Sequence, residues 1–188
     1  MMRRFPVAHI FVLAGAPAVG KSSAARALAA RFQKSIHIPV DDLREMVVAG
    51  KVLPGSQWSQ ELIEQLSLAR ESAVQMARAY HAAGFNVVID DFWDPNSQLL
   101  EYSRLFQASG THRILLFPSQ QAAEARNLKR SGPGGDSIYI AEGIRTVYEH
   151  LRANVAELAR QGWLIADTTD QSIEATVDQI LTQSGQVP

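Results

Sequence analysis

Cysteine is absent from the 188-residue chain. Its absence excludes disulfides, thiol nucleophiles and cysteine-ligated zinc, and it leaves a reducing, cytoplasmic compartment as the expected setting. A charge excess is missing too: 18 Lys and Arg stand against 19 Asp and Glu. A net charge of −1 gives no global field to draw in nucleic acid or an anionic membrane, though a local basic groove stays compatible with it. No stretch reaches the ~18–20 apolar residues a membrane helix needs. The histidines, His9, His37, His81, His112 and His150, lack metal-ligand spacing and read as structural or surface residues. The opening "MMRRFPVAHIFVLAGAPAVG" has the basic start and apolar stretch of a secretory signal. Cleavage near Ala16 or Ala18 would cut a glycine-rich loop, however, and Pro6 and His9 interrupt the apolar run. With no internal repeat and no dividing linker, one domain over 1–188 is expected, ending in a loose "SGQVP" tail.

What the chain does have is an alternation of short β-branched runs with longer stretches of helical spacing, the pattern of repeated βα units and a mostly parallel sheet. Strands are expected at 8–14, 35–39, 85–90, 112–117 and 162–166. Helices lie between them: "KSSAARALAARF" after the first, then a short one at 41–49 and a long amphipathic one over 59–83, stopping at Gly84, between the second and third. Others are expected at 96–108, 119–130, 137–161 and 171–183, with "SGPGGD" (131–136) as a hinge or mobile flap. The fold class that results is α/β, a doubly wound parallel sheet of five strands with helices on both faces and a helical lid around 126–145.

Between the first strand and its helix lies Gly15-Ala16-Pro17-Ala18-Val19-Gly20-Lys21-Ser22-Ser23. It fits G-x-x-x-x-G-K-[ST] in the strand–loop–helix context the motif requires. Glycines let the backbone N–H groups close on phosphate oxygens, and the helix N-terminus adds the positive end of its dipole. Lys21 is expected on the β- and γ-phosphates and the Ser22 hydroxyl on Mg²⁺. The remaining alternative is a chance match in a small-residue helix start.

In doubly wound proteins ligands bind beyond the carboxyl ends of the strands, so the residues after strands two and three should face this loop. "PVDDLRE" follows strand two: Asp41 or Asp42 is placed to accept the proton of an acceptor hydroxyl, and Arg44 to hold an anionic group. Aspartate at that position also serves as a helix cap. "VVIDDFWDP" follows strand three, where Asp90 and Asp91 are placed to support Mg²⁺ or to order the acceptor site. Phe92 and Trp93 either floor a substrate pocket or belong to the core. Arg126 and Arg130, four apart on one helix face before the flap, are placed to close on a transferring phosphoryl group; the alternative is a solvated surface. Arg145 is equally open to both, and Asp167 in "ADTTDQS" lies either beside a nucleotide base or in a plain turn.

Together these segments resemble the small P-loop kinases, above all the kinase domain of polynucleotide 5′-kinases, with chloramphenicol phosphotransferases and zeta toxins as more distant relatives. "GAPAVGKSSAAR", "VDDLRE", "VVIDDFWDPN", "ARNLKR" and "IRTVYEHL" carry the likeness over nearly the whole chain. The resemblance implies Asp41 as general base, Arg44 as ligand of an acceptor phosphate, Arg130 as the lid arginine and Asp91 as the third-strand aspartate on the substrate side. Val40 stands where the nucleic-acid kinases carry a basic residue, and Glu61, Glu64 and Glu71 on the long helix are a poor track for a polynucleotide. The expected activity is therefore ATP- and Mg²⁺-dependent phosphoryl transfer to a small-molecule hydroxyl. A 5′-hydroxyl oligonucleotide is the second choice of acceptor, and a nucleotide switch without any acceptor is the rival.

Overall fold

The computed structural model describes residues 8–52 and 58–186. Five parallel strands, β1 (Ile10–Ala14), β2 (Ser35–Pro39), β3 (Asn86–Asp90), β4 (Thr111–Leu116) and β5 (Trp163–Ala166), form one sheet in the order β2-β3-β1-β4-β5. The apolar run "IFVLA" becomes the central strand because every one of its side chains is buried. A strand covered on both faces has no polar side to show, so it does not alternate.

Around the sheet lie α1 (Lys21–Ala29), α2 (Val40–Glu45), α3 (Gln60–Ala82), α4 (Ser103–Phe106), α5 (Gln120–Ser131), α6 (Gly135–Arg160) and α7 (Ile173–Gln183). Helices α1 and α7 pack against each other on one face, while α3, α4 and α6 contact strands from the other, as right-handed crossovers require. Ser59, Ser119 and Ser172 cap α3, α5 and α7 by accepting a backbone N–H three residues on.

Three expected elements differ. The helix expected at 96–108 is instead a turn, a 3-10 segment over Leu100–Tyr102 and the single turn of α4. Gln98 and Leu99 adopt left-handed backbone, at φ 48° and 60°, which no helix accommodates. The Asp94 side chain fixes this turn by accepting the N–H of Asn96. Helix α2 ends at Glu45 rather than 49, ahead of the β-branched and exposed Val47 and Val48. The glycine-rich flap is reduced to Gly132–Gly134: α5 closes with Gly132 at φ 67°, its N–H on the Leu128 carbonyl, and α6 begins at Gly135. The lid is thus a helical hairpin with a three-residue bend. No helix among the described residues is long and apolar enough to cross a membrane.

Candidate active site

Gly15 leaves β1 with φ 156°, and a Cβ there would lie 2.6 Å from the Leu116 carbonyl oxygen and 3.0 Å from Val19 Cγ2. Only glycine lets the loop fold this tightly against β4. Gly20, at φ 97°, is the N-cap of α1, whose first turn presents Gly20, Lys21, Ser22 and Ser23 to a cavity of about 990 Å³. Amides of a first helical turn have no intrahelical acceptor, which makes this end a ready anion site. Lys21 is buried and its Nζ donates to the Ala16 carbonyl at 2.8 Å. Burial pushes its ammonium pKa down; Asp41, Asp90 and Asp91 pull it up again, while Arg130 pushes it further down. An ammonium that only one carbonyl oxygen satisfies is poised to accept an anion.

Behind the loop, Ser22 Oγ donates to Asp90 Oδ1 at 3.3 Å, and His37 Nε2 sits 2.6 Å from Asp90 Oδ2. Among the described residues no cluster of three or more His, Cys, Asp or Glu forms a metal site. Mg²⁺ does not need one: it is held by one or two protein oxygens, with water and substrate phosphates completing its shell. The Ser22 hydroxyl and Asp90 carboxylate fit that donor set. His37, one of the histidines read as structural, is the residue that steadies Asp90. Its strand position carries no signal for this, because the contact runs between neighbouring strands whose register only the fold reveals.

Asp91, expected on the substrate side, is corrected by the structure: it does not line the cavity. Its Oδ2 accepts Arg70 Nε at 2.7 Å and the Tyr102 hydroxyl at 2.9 Å, both buried. Arg70 Nη1 also donates to Asp94 (2.9 Å), Ser97 (3.0 Å) and Glu101 (3.3 Å). Burial pushes the Asp91 carboxyl up to about 6 against the pull of Arg70, whose own pKa the surrounding carboxylates raise despite burial. Arg70 is 1% exposed, and it lies on the buried stripe of α3, where the helical spacing predicts an apolar residue. Removing it strands three carboxylates. Arg70→Leu is expected to lower stability by about 3 kcal/mol in a denaturant titration, while Asp42→Asn, on an exposed side chain, changes it by less than about 0.5 kcal/mol.

On the acceptor side, Asp41 and Arg44 of α2 line the same cavity as Lys21. The N-cap of α2 is Pro39, with no side-chain cap bond, so Asp41 and Asp42 occupy the first turn and cap nothing. Asp42 does not line the cavity. Arg44 Nη2 donates to the Val52 carbonyl at 3.4 Å, and its Nε is buried without a partner among the described residues. Phe92 lines the cavity, whereas Trp93 is fully buried in the core against Trp163. The alternatives left open for this pair are thus split between them.

From the lid hairpin, Arg126 and Arg130 both reach the cavity, in different ways. Arg126 is bolted in place, donating to the carbonyls of Val19 (3.1 Å), Thr168 (2.6 Å) and Thr169 (3.1 Å). Rather than standing ready to close on a phosphoryl group, it ties the loop to the turn after β5. It also borders a second cavity of about 230 Å³ between α1, the end of β4 and residues 168–176. Arg130 is exposed on the rim and has no such ties among the described residues. Gly143 of α6 meets Pro17 of the loop, where a Cβ would lie 3.7 Å from Pro17 Cγ. Arg145 is exposed and lines neither cavity. Asp167 is the turn former: its Oδ1 accepts the N–H and hydroxyl of Thr169, which hold its pKa down.

Residues 10–157 match the family described as AAA domain. No curated protein sequence matches the chain. Among solved structures, a gluconokinase from Sinorhizobium meliloti 1021 superposes with a TM-score of 0.65 at 21% identity, covering 97% of this chain and 94% of that one. The tunicamycin resistance protein of Deinococcus radiodurans gives 0.64 at 16% identity (96% and 98%). Shikimate kinase from Bacteroides thetaiotaomicron gives 0.60 at 16% identity (93% and 97%). At these identities the likeness is one of fold.

Proposed function

The chain belongs to the AAA domain family, and from that premise we propose that it is an ATP-dependent phosphotransferase acting on a hydroxyl of a small molecule. The observation that carries this is the shared cavity: the buried lysine of a phosphate loop and a carboxylate that caps no helix, in the first turn of α2 just past the end of β2, line one space. A switch that only senses or hydrolyses nucleotide has no use for that carboxylate. The structural neighbours whose names state a sugar or shikimate kinase activity support a small acceptor in preference to a polynucleotide.

In the proposed reaction Lys21 leaves the Ala16 carbonyl for the β- and γ-phosphate oxygens, joined by the amides of the first turn of α1. Bound at Ser22 and Asp90, Mg²⁺ would offset charge on the same phosphates. Asp41 takes the proton of the acceptor hydroxyl as its oxygen bonds to the γ-phosphorus and the bond to the β–γ bridging oxygen breaks, releasing ADP. Arg130 supplies positive charge from the rim, and Arg44 orients an anionic group of the acceptor. The base would occupy the smaller cavity beside Arg126. Arg126→Ala is expected to weaken ATP binding about tenfold by calorimetry, because the loop and the 168–176 turn lose their common tie. Incubation with γ-labelled ATP and a panel of hydroxyl compounds and 5′-hydroxyl oligonucleotides tests the assignment. Label should appear on a small alcohol; release of label only as inorganic phosphate would favour the switch.

A further inference from the structure

We infer that the acceptor is a flat, aromatic-bodied alcohol carrying one negative charge, not a polyhydroxylated sugar acid; this rests on the phosphotransferase assignment and specifies its substrate class. The acceptor wall of the cavity is built by α2, the start of α3 and the segment after β3. Among the described residues its polar side chains are Asp41, Arg44, Glu45 and Asn96, and Glu45 is already paired with Lys51 at 2.5 Å. The rest is apolar: Trp58, Leu62, Leu66, Phe92 and Pro95. A sugar acid buries a hydroxyl at nearly every carbon, and each one left without a partner costs affinity. The described residues of this wall offer such a molecule few free polar groups. It suits a planar apolar body held by a small number of placed polar contacts.

The aromatic floor is fixed in advance. Trp58 meets Phe92 edge-on with ring centroids 5.9 Å apart. The Arg70 guanidinium lies over the Phe92 ring, 5.1 Å from its centroid. That guanidinium is itself held by Asp91, Asp94 and Glu101, so the buried ion network that takes no place in the cavity sets the Phe92 ring within it. Two aromatic rings inclined at 73° form a corner that receives a third ring edge-to-face or offset-stacked. Charge complementarity supplies the single anion. Arg44 has a buried Nε without a partner, and no carboxylate of the described residues lies in salt-bridge reach of it. A carboxylate or phosphate accepts bidentately from such a group. The acceptor hydroxyl then falls to Asp41, in the first turn of α2 and three residues before Arg44. Tyr139 of α6, half exposed, lines the cavity from the lid side and closes it with a further ring.

The test uses the full chain and a probe with these features, 4-(hydroxymethyl)benzoate, read by intrinsic fluorescence. Trp93 and Trp163 are buried, 0% and 6% exposed, so quenching in the cavity reports on Trp58. The probe is expected to quench saturably and to bind at least about tenfold more tightly than gluconate or shikimate in parallel calorimetric titrations. Phe92→Leu and Trp58→Leu, which keep apolar bulk and remove a ring, should each weaken it by about three- to tenfold by calorimetry. Arg44→Met should weaken the probe but not benzyl alcohol, which lacks the anion. Gluconate, shikimate or a 5′-hydroxyl oligonucleotide binding as tightly as the aromatic probe would overturn the inference, as would absence of probe binding to protein that binds Mg-ATP. Transfer of label to gluconate alone would overturn it while leaving the phosphotransferase assignment standing; hydrolysis with no acceptor at all would remove that assignment instead.

Discussion

Replacing Asp41 with asparagine is expected to slow phosphoryl transfer by about 10²- to 10⁴-fold, with Mg-ATP affinity changed by less than about twofold. The amide keeps the size of the side chain and its place in the first turn of α2 but cannot take a proton. Asp41 lines the cavity and is not engaged as the cap of its helix, so the substitution removes no structural bond of that kind. A loss in kcat with binding preserved is the signature of an interaction made only in the transition state. Asp42→Asn, one residue away and outside the cavity, is the matched control and should behave as wild type. Parallel measurement of transfer and of nucleotide affinity in the two variants separates a proton acceptor from a merely acidic helix start.

The second large effect is at Lys21. Lys21→Met is expected to lower transfer by about 10³-fold, the scale seen when a preorganised charge is removed from a site where negative charge develops. The same substitution should leave the melting temperature unchanged or slightly raised. Lys21 is buried, desolvation pulls its pKa down, and its one hydrogen bond is to the Ala16 carbonyl. Methionine fills the same channel without the cost of burying an ammonium. Lys21→Arg should not rescue activity, because a planar fork does not fit a slot shaped for a point charge on a narrow stem. Thermal melts alongside transfer assays would show function and stability moving apart, which a residue kept only for packing cannot produce.

The phosphate loop and the parallel sheet were legible because their signals are local. Gly15 and Gly20 mark backbone that other residues cannot adopt, and "IFVLA" can only be a strand buried on both faces. Asp41 and Arg44 were legible through topology, since residues past a strand's carboxyl end face the crevice. Less legible was where a side chain turns. Asp90 and Asp91 are adjacent at the end of β3, and successive residues of a strand point to opposite faces; one meets Ser22 and the other Arg70. Choosing between them needs the partner, and Arg70 sits 21 residues away on a helix whose spacing calls for an apolar residue there. Arg126 and Arg130 share a helix face, yet two of the three carbonyls that bind the first belong to a turn more than 40 residues later in the chain, and the third to the phosphate loop. The segment 96–108 has helical composition but is governed by Asp94 and by left-handed backbone at Gln98 and Leu99.

A crystal structure with Mg²⁺ and a non-hydrolysable ATP analogue is the most direct measurement of the arrangement proposed for the cavity. It should show Lys21 Nζ detached from Ala16 and on the β- and γ-phosphate oxygens, Ser22 on the metal, and Asp41 separated from the γ-phosphorus by room for one hydroxyl oxygen roughly 3 Å from each. A triphosphate that runs outside the cavity, with Lys21 still on the loop carbonyl and Asp41 turned to bulk water, would contradict it.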